Sequence, residues 1–533
     1  MEGTVMSRNN QFADYVVIGG GSAGCVAANR LSEDPNCLVM LIEAGGPDEV
    51  PQIHDVSMSS LFYIWGAAWG GDDTGIDWGY QSVPQKHLKQ RQIVHLRGKV
   101  MGGSSAVNAM MWVRGNKLDY DRWEREGATG WSYADVLPYF EKLENFLGKP
   151  DPLRGVSGPT TVWPHQNLTA LAEIFFDAAD ELGYVSESRD YNSAVQENFA
   201  FPYQVNLTPD GTRCSSAVSH IKPIAERANL SVRTRAHVTK LNIVSGVVKN
   251  IEYVSGGRRG VVNVGSGVVL SAGVFETPKL LMLSGIGPAA EMTRLGLPCD
   301  YDSPSMCGNL QDHPYSPLIY DSPVSHPSVN MVSEAGMFLR SSLIDATIPP
   351  DLQITFGTPT LYPVAFPEPD GHSGAGFTIS PTIIQPKSRG TVRMVSTDPM
   401  ANLEVDPNYL SDPADLAVIM EGVQICRDLT DTKALKAVRG EEIRPGRGMS
   451  EADLEDYIRS TLTTTFHPSG TCRMGGDGES VVDPTLLVRG AENVWVADGS
   501  VMPYLPTGNP NAAAMMIGAR VADFIKDRLG ESK

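Results

Sequence analysis

Cysteine is scarce and scattered in this chain. Cys25, Cys37, Cys214, Cys299, Cys307, Cys426 and Cys472 are odd in number and form no Cys-x-x-Cys pair. That distribution supplies neither a disulfide framework nor a zinc site, so no metal is expected and a reducing compartment fits best. Long apolar runs are missing too: no stretch of 18 occurs, which argues against a membrane-spanning helix. Residues Met1 to Asn10 lack the apolar centre of a secretory leader, and a cytoplasmic location is expected. Basic residues are in the minority, 43 Lys and Arg against 62 Asp and Glu, for a net charge of −19. Such a field repels nucleic acid and anionic membranes, whereas a cationic small molecule would be favoured by it. There is no internal repeat and no low-complexity tract, which argues against a solenoid.

What is present reads as a globular enzyme. Hydrophobic content of 41% and charged content of 20% are ordinary, and 533 residues exceed what one core usually supports, so two domains are expected.

The most informative stretch is Asp14-Tyr-Val-Val-Ile-Gly-Gly-Gly-Ser-Ala-Gly-Cys25. Tyr15 to Ile18 is a short apolar run that stops at glycine, as a strand buried on both faces does. Gly19, Gly21 and Gly24 then form G-x-G-x-x-G: room for a tight turn, for backbone to approach a pyrophosphate, and for the next helix to pack on the strand. That helix is expected over about 23–32, from Ala23 to Ser32, with its free N–H groups aimed at the phosphate. Leu38 to Ile42 reads as a second parallel strand. Glu43, at its carboxyl end and about 20 residues past the glycines, is placed to take ribose hydroxyls and argues against a 2′-phosphate.

A second glycine-serine turn, Arg97-Gly-Lys-Val-Met-Gly-Gly-Ser-Ser-Ala-Val-Asn108, offers N–H donors and close backbone approach to a flat ligand. Between the two turns, Pro51 to Gln90 is rich in glycine and aromatics, including Phe62, Tyr63, Trp65, Trp69, Trp78 and Tyr80, and is expected to form a lid or pocket wall. Leu230 to Arg233, Val238 to Val244, Gly260 to Val264 and Val268 to Gly273 read as strands broken by turns. Thr277 is expected to cap a helix opening at Pro278, and Asn509 to cap one opening at Pro510. In that last helix Ala513, Met516, Ile517, Val521, Phe524 and Ile525 follow helical spacing. Pro349-Pro350 and Pro363 to Pro369 mark loops.

These motifs, with Asp119-Tyr-Asp-Arg-Trp123, Gly273-Val-Phe-Glu-Thr-Pro278, His467-Pro-Ser-Gly-Thr-Cys472 and Asp498-Gly-Ser, occur in family order over nearly the whole chain. Together they resemble the glucose–methanol–choline (GMC) flavoprotein oxidoreductases. The resemblance implies an α/β fold: a discontinuous Rossmann-like FAD-binding domain from 1–160, 220–315 and 460–533, and an α+β substrate-binding domain with an antiparallel sheet from 161–219 and 316–459. It implies FAD held by Gly19, Gly21, Ser22, Ala23, Gly24, Glu43 and Ala44, by Gly102, Ser105, Asn108 and Ala109, by Val238, Ala272, Gly273 and Asp498, and by Asn509 and Asn511. Some members attach FAD through a histidine in the glycine-serine turn; Val107 stands at the best-matching position here, so noncovalent FAD is expected.

Oxidising an alcohol requires a base for the hydroxyl proton and a donor for its oxygen. His467 is the expected base, its type having an ordinary pKa of about 6.5, and Asn509 is the expected partner of the alcohol oxygen. The reaction implied is oxidation of a primary alcohol to the aldehyde, with reoxidation by O2 or another acceptor. Aromatic walls suit an aryl or furan-type alcohol; Glu or Asp would instead pair with a quaternary amine such as choline. The same fold also hosts hydroxynitrile lyases and fatty-acid photodecarboxylases, in which His467 would be a base without net oxidation.

Overall fold

The computed structural model describes residues 12–69, 74–165, 168–323, 333–358, 360–362 and 375–530. Strand Phe12–Ile18 lies parallel between Val39–Ile42 and Arg258–Leu270, and the sheet continues through Leu230–Arg233 on one side and Val494–Val496 on the other. Tyr15, Val16, Val17 and Ile18 are all buried, as expected of a strand covered on both faces. Helix Ser22–Leu31 crosses over it, one residue earlier than the spacing predicts. Helix Asn511–Leu529 packs on that crossover helix so closely that a Cβ on Gly518 would stand 2.3 Å from the Ala23 carbonyl oxygen. Ala513, Met516, Ile517, Val521 and Ile525 of its expected apolar face are buried, and Phe524 is partly buried.

The turn expected between Gly260 and Val268 does not exist. Arg258–Leu270 is one strand of 13 residues, antiparallel to Val247–Ser255 in its first half and parallel to Phe12–Ile18 beyond it. Gly265 and Gly267 sit within it because neighbours crowd them: added Cβ atoms would meet Phe12 at 2.8 Å and Trp495 at 2.6 Å.

A second, antiparallel sheet is ordered Glu442–Arg444, Leu318–Asp321, Gly376–Ile383, Leu352–Gly357, Ala335–Leu339 and Ala200–Pro202. Leu352, Ile354, Phe356, Phe377, Ile379 and Ile383 form its apolar face, and their core includes Phe175 of helix Ala170–Glu181 and Ile419 and Val423 of helix Pro413–Asp431. The hairpin Thr391–Met394 and Leu403–Asp406, although it lies between these elements in sequence, buries Val392, Met394, Leu403 and Val405 in the core of the first sheet. The loop expected over Pro363 to Pro369 lies outside the described residues.

The segment expected as a lid begins as two short helices, Pro51–His54 and Met58–Ile64. Residues 70–73 lie outside the described residues. None of the described helices is long and apolar enough to cross a membrane.

Candidate active site

One cavity of about 370 Å³ runs from the first glycine turn to the face of the second sheet. At its first end the surface is backbone. A Cβ on Gly24 would lie 1.9 Å from the Gly19 carbonyl oxygen, and one on Gly103 would lie 2.6 Å from the Gly21 Cα, so the two glycine turns touch. The Gly102 N–H donates to the Gly20 carbonyl at 2.7 Å and locks them together. Helices Ser22–Leu31, Gly273–Leu283 and Asn511–Leu529 all begin at this wall, which directs the positive ends of three dipoles into it. Glu43 is buried and accepts the N–H groups of Gly20 and Gly45, each at 2.7 Å. Burial pushes its carboxyl up to about 7, against the pull of those N–H donors and Lys99.

Gly19, Gly21, Ser22, Ala23, Glu43 and Ala44 line the cavity, as do Asn108, Ala109, Val238, Ala272, Gly273 and Asp498. Asn509 and Asn511 complete the wall. Three expected contacts stand behind it instead. Gly24 packs on the strand, the role its place in the motif assigns. Gly102 faces Ala106 and Ser215, and Ser105 donates to the Gly102 carbonyl at 2.6 Å and lies 2.9 Å from the Ser216 hydroxyl. Gly103 and Ser104 present the turn in their place. Val107 lines the cavity, and its carbonyl accepts the Trp65 indole N–H at 2.6 Å. Trp65, Trp78 and Tyr80 of the expected pocket wall do form wall, whereas Phe62 and Tyr63 are exposed.

Both expected helix caps differ. Helix Gly273–Leu283 starts four residues before Thr277, whose hydroxyl donates to Asp498 Oδ2 at 2.7 Å. The same oxygen accepts the Gly273 N–H at 2.9 Å, so Asp498 ties the two turns together. Helix Asn511–Leu529 has Pro510 at its N-cap, and the Asn509 side chain turns away from the helix to His467.

At the other end the surface is made of side chains. His467 Nε2 lies 3.2 Å from Asn509 Nδ2. An amide nitrogen only donates, so Nε2 is the accepting nitrogen and Nδ1 carries the proton. Nδ1 is 2.9 Å from the Thr465 hydroxyl, which gives its own proton to the His313 carbonyl at 2.8 Å. The His313 ring stands nearly perpendicular, with its Nδ1 3.1 Å from that of His467. Burial first, then His313 and Arg97, push His467 well below its ordinary value, so it is neutral at physiological pH.

The backbone here is strained. Phe466 has φ of 64°, a left-handed conformation costly for a bulky residue. Three bonds hold it: the Phe466 N–H donates to the Thr464 hydroxyl at 2.7 Å, Arg97 donates to the Phe466 carbonyl, and the His467 N–H donates to Asp312 Oδ1 at 2.9 Å. Asp312 also accepts the His313 N–H and the hydroxyls of Thr464 and Tyr409. The reading of motifs missed Arg97, Asp312 and His313 as functional residues. The one available signal was an acid beside a histidine before proline, Asp312-His313-Pro314.

Residues 13–315 and 386–518 match the N- and C-terminal models of GMC oxidoreductases. The chain belongs to the GMC oxidoreductase family. It is 38% identical to an oxygen-dependent choline dehydrogenase of Sinorhizobium fredii, over 96% of this chain and 95% of the relative. It is 36% identical to an alcohol dehydrogenase [acceptor] of Pseudomonas putida, over 96% and 95%. Among solved structures it is similar to pyridoxine 4-oxidase from Mesorbium loti, with a TM-score of 0.88 and 30% identity over 96% of this chain and 98% of that one. The Rossmann-like α/β class with a second, antiparallel sheet is thereby borne out. This GMC oxidoreductase is an FAD-dependent enzyme acting on CH–OH donors, and a lyase or decarboxylase is not favoured. The residues present fit the cofactor: two glycine turns in which a Cβ on Gly19, Gly24 or Gly103 would meet backbone, and an acid behind the first strand pair.

Proposed function

We propose that this enzyme oxidises a primary alcohol to the aldehyde with His467 as base and Asn509 as partner of the alcohol oxygen. The observation that carries this is the pairing of the accepting His467 Nε2 with the Asn509 amide at 3.2 Å on the wall of the cavity. FAD, when bound, supplies the hydride acceptor. The neutral imidazole begins in the proton-accepting form, with Thr465 and His313 fixing the proton on Nδ1 and leaving Nε2 for the hydroxyl. Asn509 donates to the oxygen as its proton leaves, and its unpartnered Oδ1 marks a carboxamide not fully used within the protein. Asp312 accepts the His467 backbone N–H and holds the residue in place.

Gly19, Gly21, Glu43, Gly103 and the start of helix Asn511–Leu529 would hold the cofactor, in a domain assembled from 1–160, 220–315 and 460–533. Val107 in the glycine-serine turn supports noncovalent attachment. Reoxidation by O2 or another acceptor is supported by relatives named as an oxygen-dependent dehydrogenase and an acceptor-linked one. Seven unpaired cysteines support a cytoplasmic setting. The test is His467→Ala, which should keep FAD while slowing anaerobic flavin reduction by alcohol at least ~100-fold; near-normal reduction would remove His467 from the role.

A further inference from the structure

The second sheet has two unlike faces, and both are buried. Along Leu352–Gly357 and Gly376–Ile383 the apolar residues face the helices, and the alternate positions are polar: Gln353 and Thr355 on one strand, Thr378, Ser380 and Thr382 on the other. Register pairs Gln353 with Thr382 and Thr355 with Ser380, so the polar residues form a ladder. Gln353, Thr355, Thr378 and Ser380 line the cavity that holds His467. Burying such a ladder is unfavourable without partners, and several groups lack them. Among the described residues the Ser380 and Tyr315 hydroxyls make no hydrogen bond, and Gln353 uses only its amide nitrogen, donating to Tyr203 at 2.6 Å. Burial pushes the Tyr315 phenol up to about 12, so it remains a neutral donor.

The charges of the cavity point the same way. Its carboxylates among the described residues are engaged elsewhere: Glu43 with Gly20 and Gly45, Glu276 with Tyr80 and Lys279, Asp498 with Gly273 and Thr277. The Arg97 side chain, beside His467, donates only to the Leu96 and Phe466 carbonyls, and Asp312 and Asp77 act on it from beyond ion-pair distance. A guanidinium with no carboxylate in contact repels a second cation where the dielectric is low.

We infer that the substrate is an uncharged alcohol carrying further hydrogen-bonding oxygens, which Tyr315, Ser380 and Gln353 receive, and that the cavity disfavours a quaternary ammonium alcohol. The inference rests on the alcohol-oxidation reading for which hydroxyl is oxidised, but it concerns binding and is tested separately. In the His467→Ala holoenzyme, binding would be titrated anaerobically by the change in flavin absorbance for two matched pairs. Choline against 3,3-dimethylbutan-1-ol varies the charge at constant shape; 2-(hydroxymethyl)-2-methylpropane-1,3-diol against 2,2-dimethylpropan-1-ol varies the oxygens. The uncharged isostere should bind at least ~10-fold tighter than choline, and the triol at least ~10-fold tighter than its hydrocarbon counterpart, as two or three net hydrogen bonds provide. Tyr315→Phe with Ser380→Ala should erase the triol's advantage and leave 2,2-dimethylpropan-1-ol within ~2-fold. Choline binding as tightly as its isostere, or a triol no tighter than the hydrocarbon, overturns the inference. If the binding order holds while no alcohol bleaches the flavin of the unsubstituted enzyme, the alcohol-oxidation reading fails and the binding preference stands.

Discussion

At one end of the cavity the wall is backbone and comes from short contiguous motifs; at the other it is side chains brought from four distant segments. The first end tolerates no added atom at Gly19, Gly24 or Gly103, where a Cβ would lie within 2.6 Å of backbone. The second holds a strained residue, Phe466, clamped by partners at positions 97, 312 and 464. On the proposed function, holding the cofactor and moving the proton are therefore separable properties of one cavity. The difference teaches that close approach is encoded by absent side chains, and acid–base geometry by the tertiary neighbours of present ones.

The separation is most easily broken at the backbone end. Gly24→Ala places a methyl 1.9 Å from the Gly19 carbonyl and should abolish retention of FAD, read as the ratio of 450 to 280 nm absorbance in purified protein. A yellow, fully loaded variant would show that the turn can relax. Asn509→Ala strikes the other end and should leave FAD content unchanged while lowering the rate of flavin reduction roughly 10–100-fold, as the loss of one donor to developing charge does. Loss of flavin in that variant would mean the two ends are not separable. Asp312→Asn keeps the shape of a side chain that accepts four donors, two of them from the His313 and His467 backbone. It should reduce kcat by about 10-fold with KM little changed.

Smaller effects sharpen the comparison through pH. Burial holds Glu43 at about 7, and hydroxyl donors from a ribose favour its ionised form. Affinity for FAD should rise about 10-fold from pH 6 to pH 8, and Glu43→Gln should flatten that dependence. His467 has the opposite displacement. Because its pKa is lowered, the proton-accepting form persists as pH falls past 6.5. The acid limb of kcat/KM should therefore lie below the ordinary histidine range, and an acid limb at 6.5 or above would show that the buried site is not as dry as its packing.

Much of the backbone end was legible in the sequence. A strand that stops at glycine, the G-x-G-x-x-G spacing and an acid about 20 residues on are local signals, and they predicted Gly19, Gly21 and Glu43 within a residue of where the elements fall. Local rules failed where a neighbour overrode them. Thr277 and Asn509 have the composition and position of helix caps, yet Asp498 and His467 claim their side chains. Gly265 and Gly267 look like a turn but mark close packing against Phe12 and Trp495. Ser105 sits in a ligand-facing motif and points into the protein, because Ser216, 111 residues away, is 2.9 Å from its hydroxyl.

By itself the sequence determined the periodic and the steric: which strands are covered on both faces, where backbone needs room, and that one histidine in a family motif is the candidate base. Tertiary structure alone decided the tautomer of His467, its lowered affinity for protons, and the unlike faces of the second sheet. The physical reason is range. Steric and periodic demands act between residues a few positions apart, whereas desolvation, charge and hydrogen bonding at the catalytic corner are summed over groups that meet only when the chain has folded.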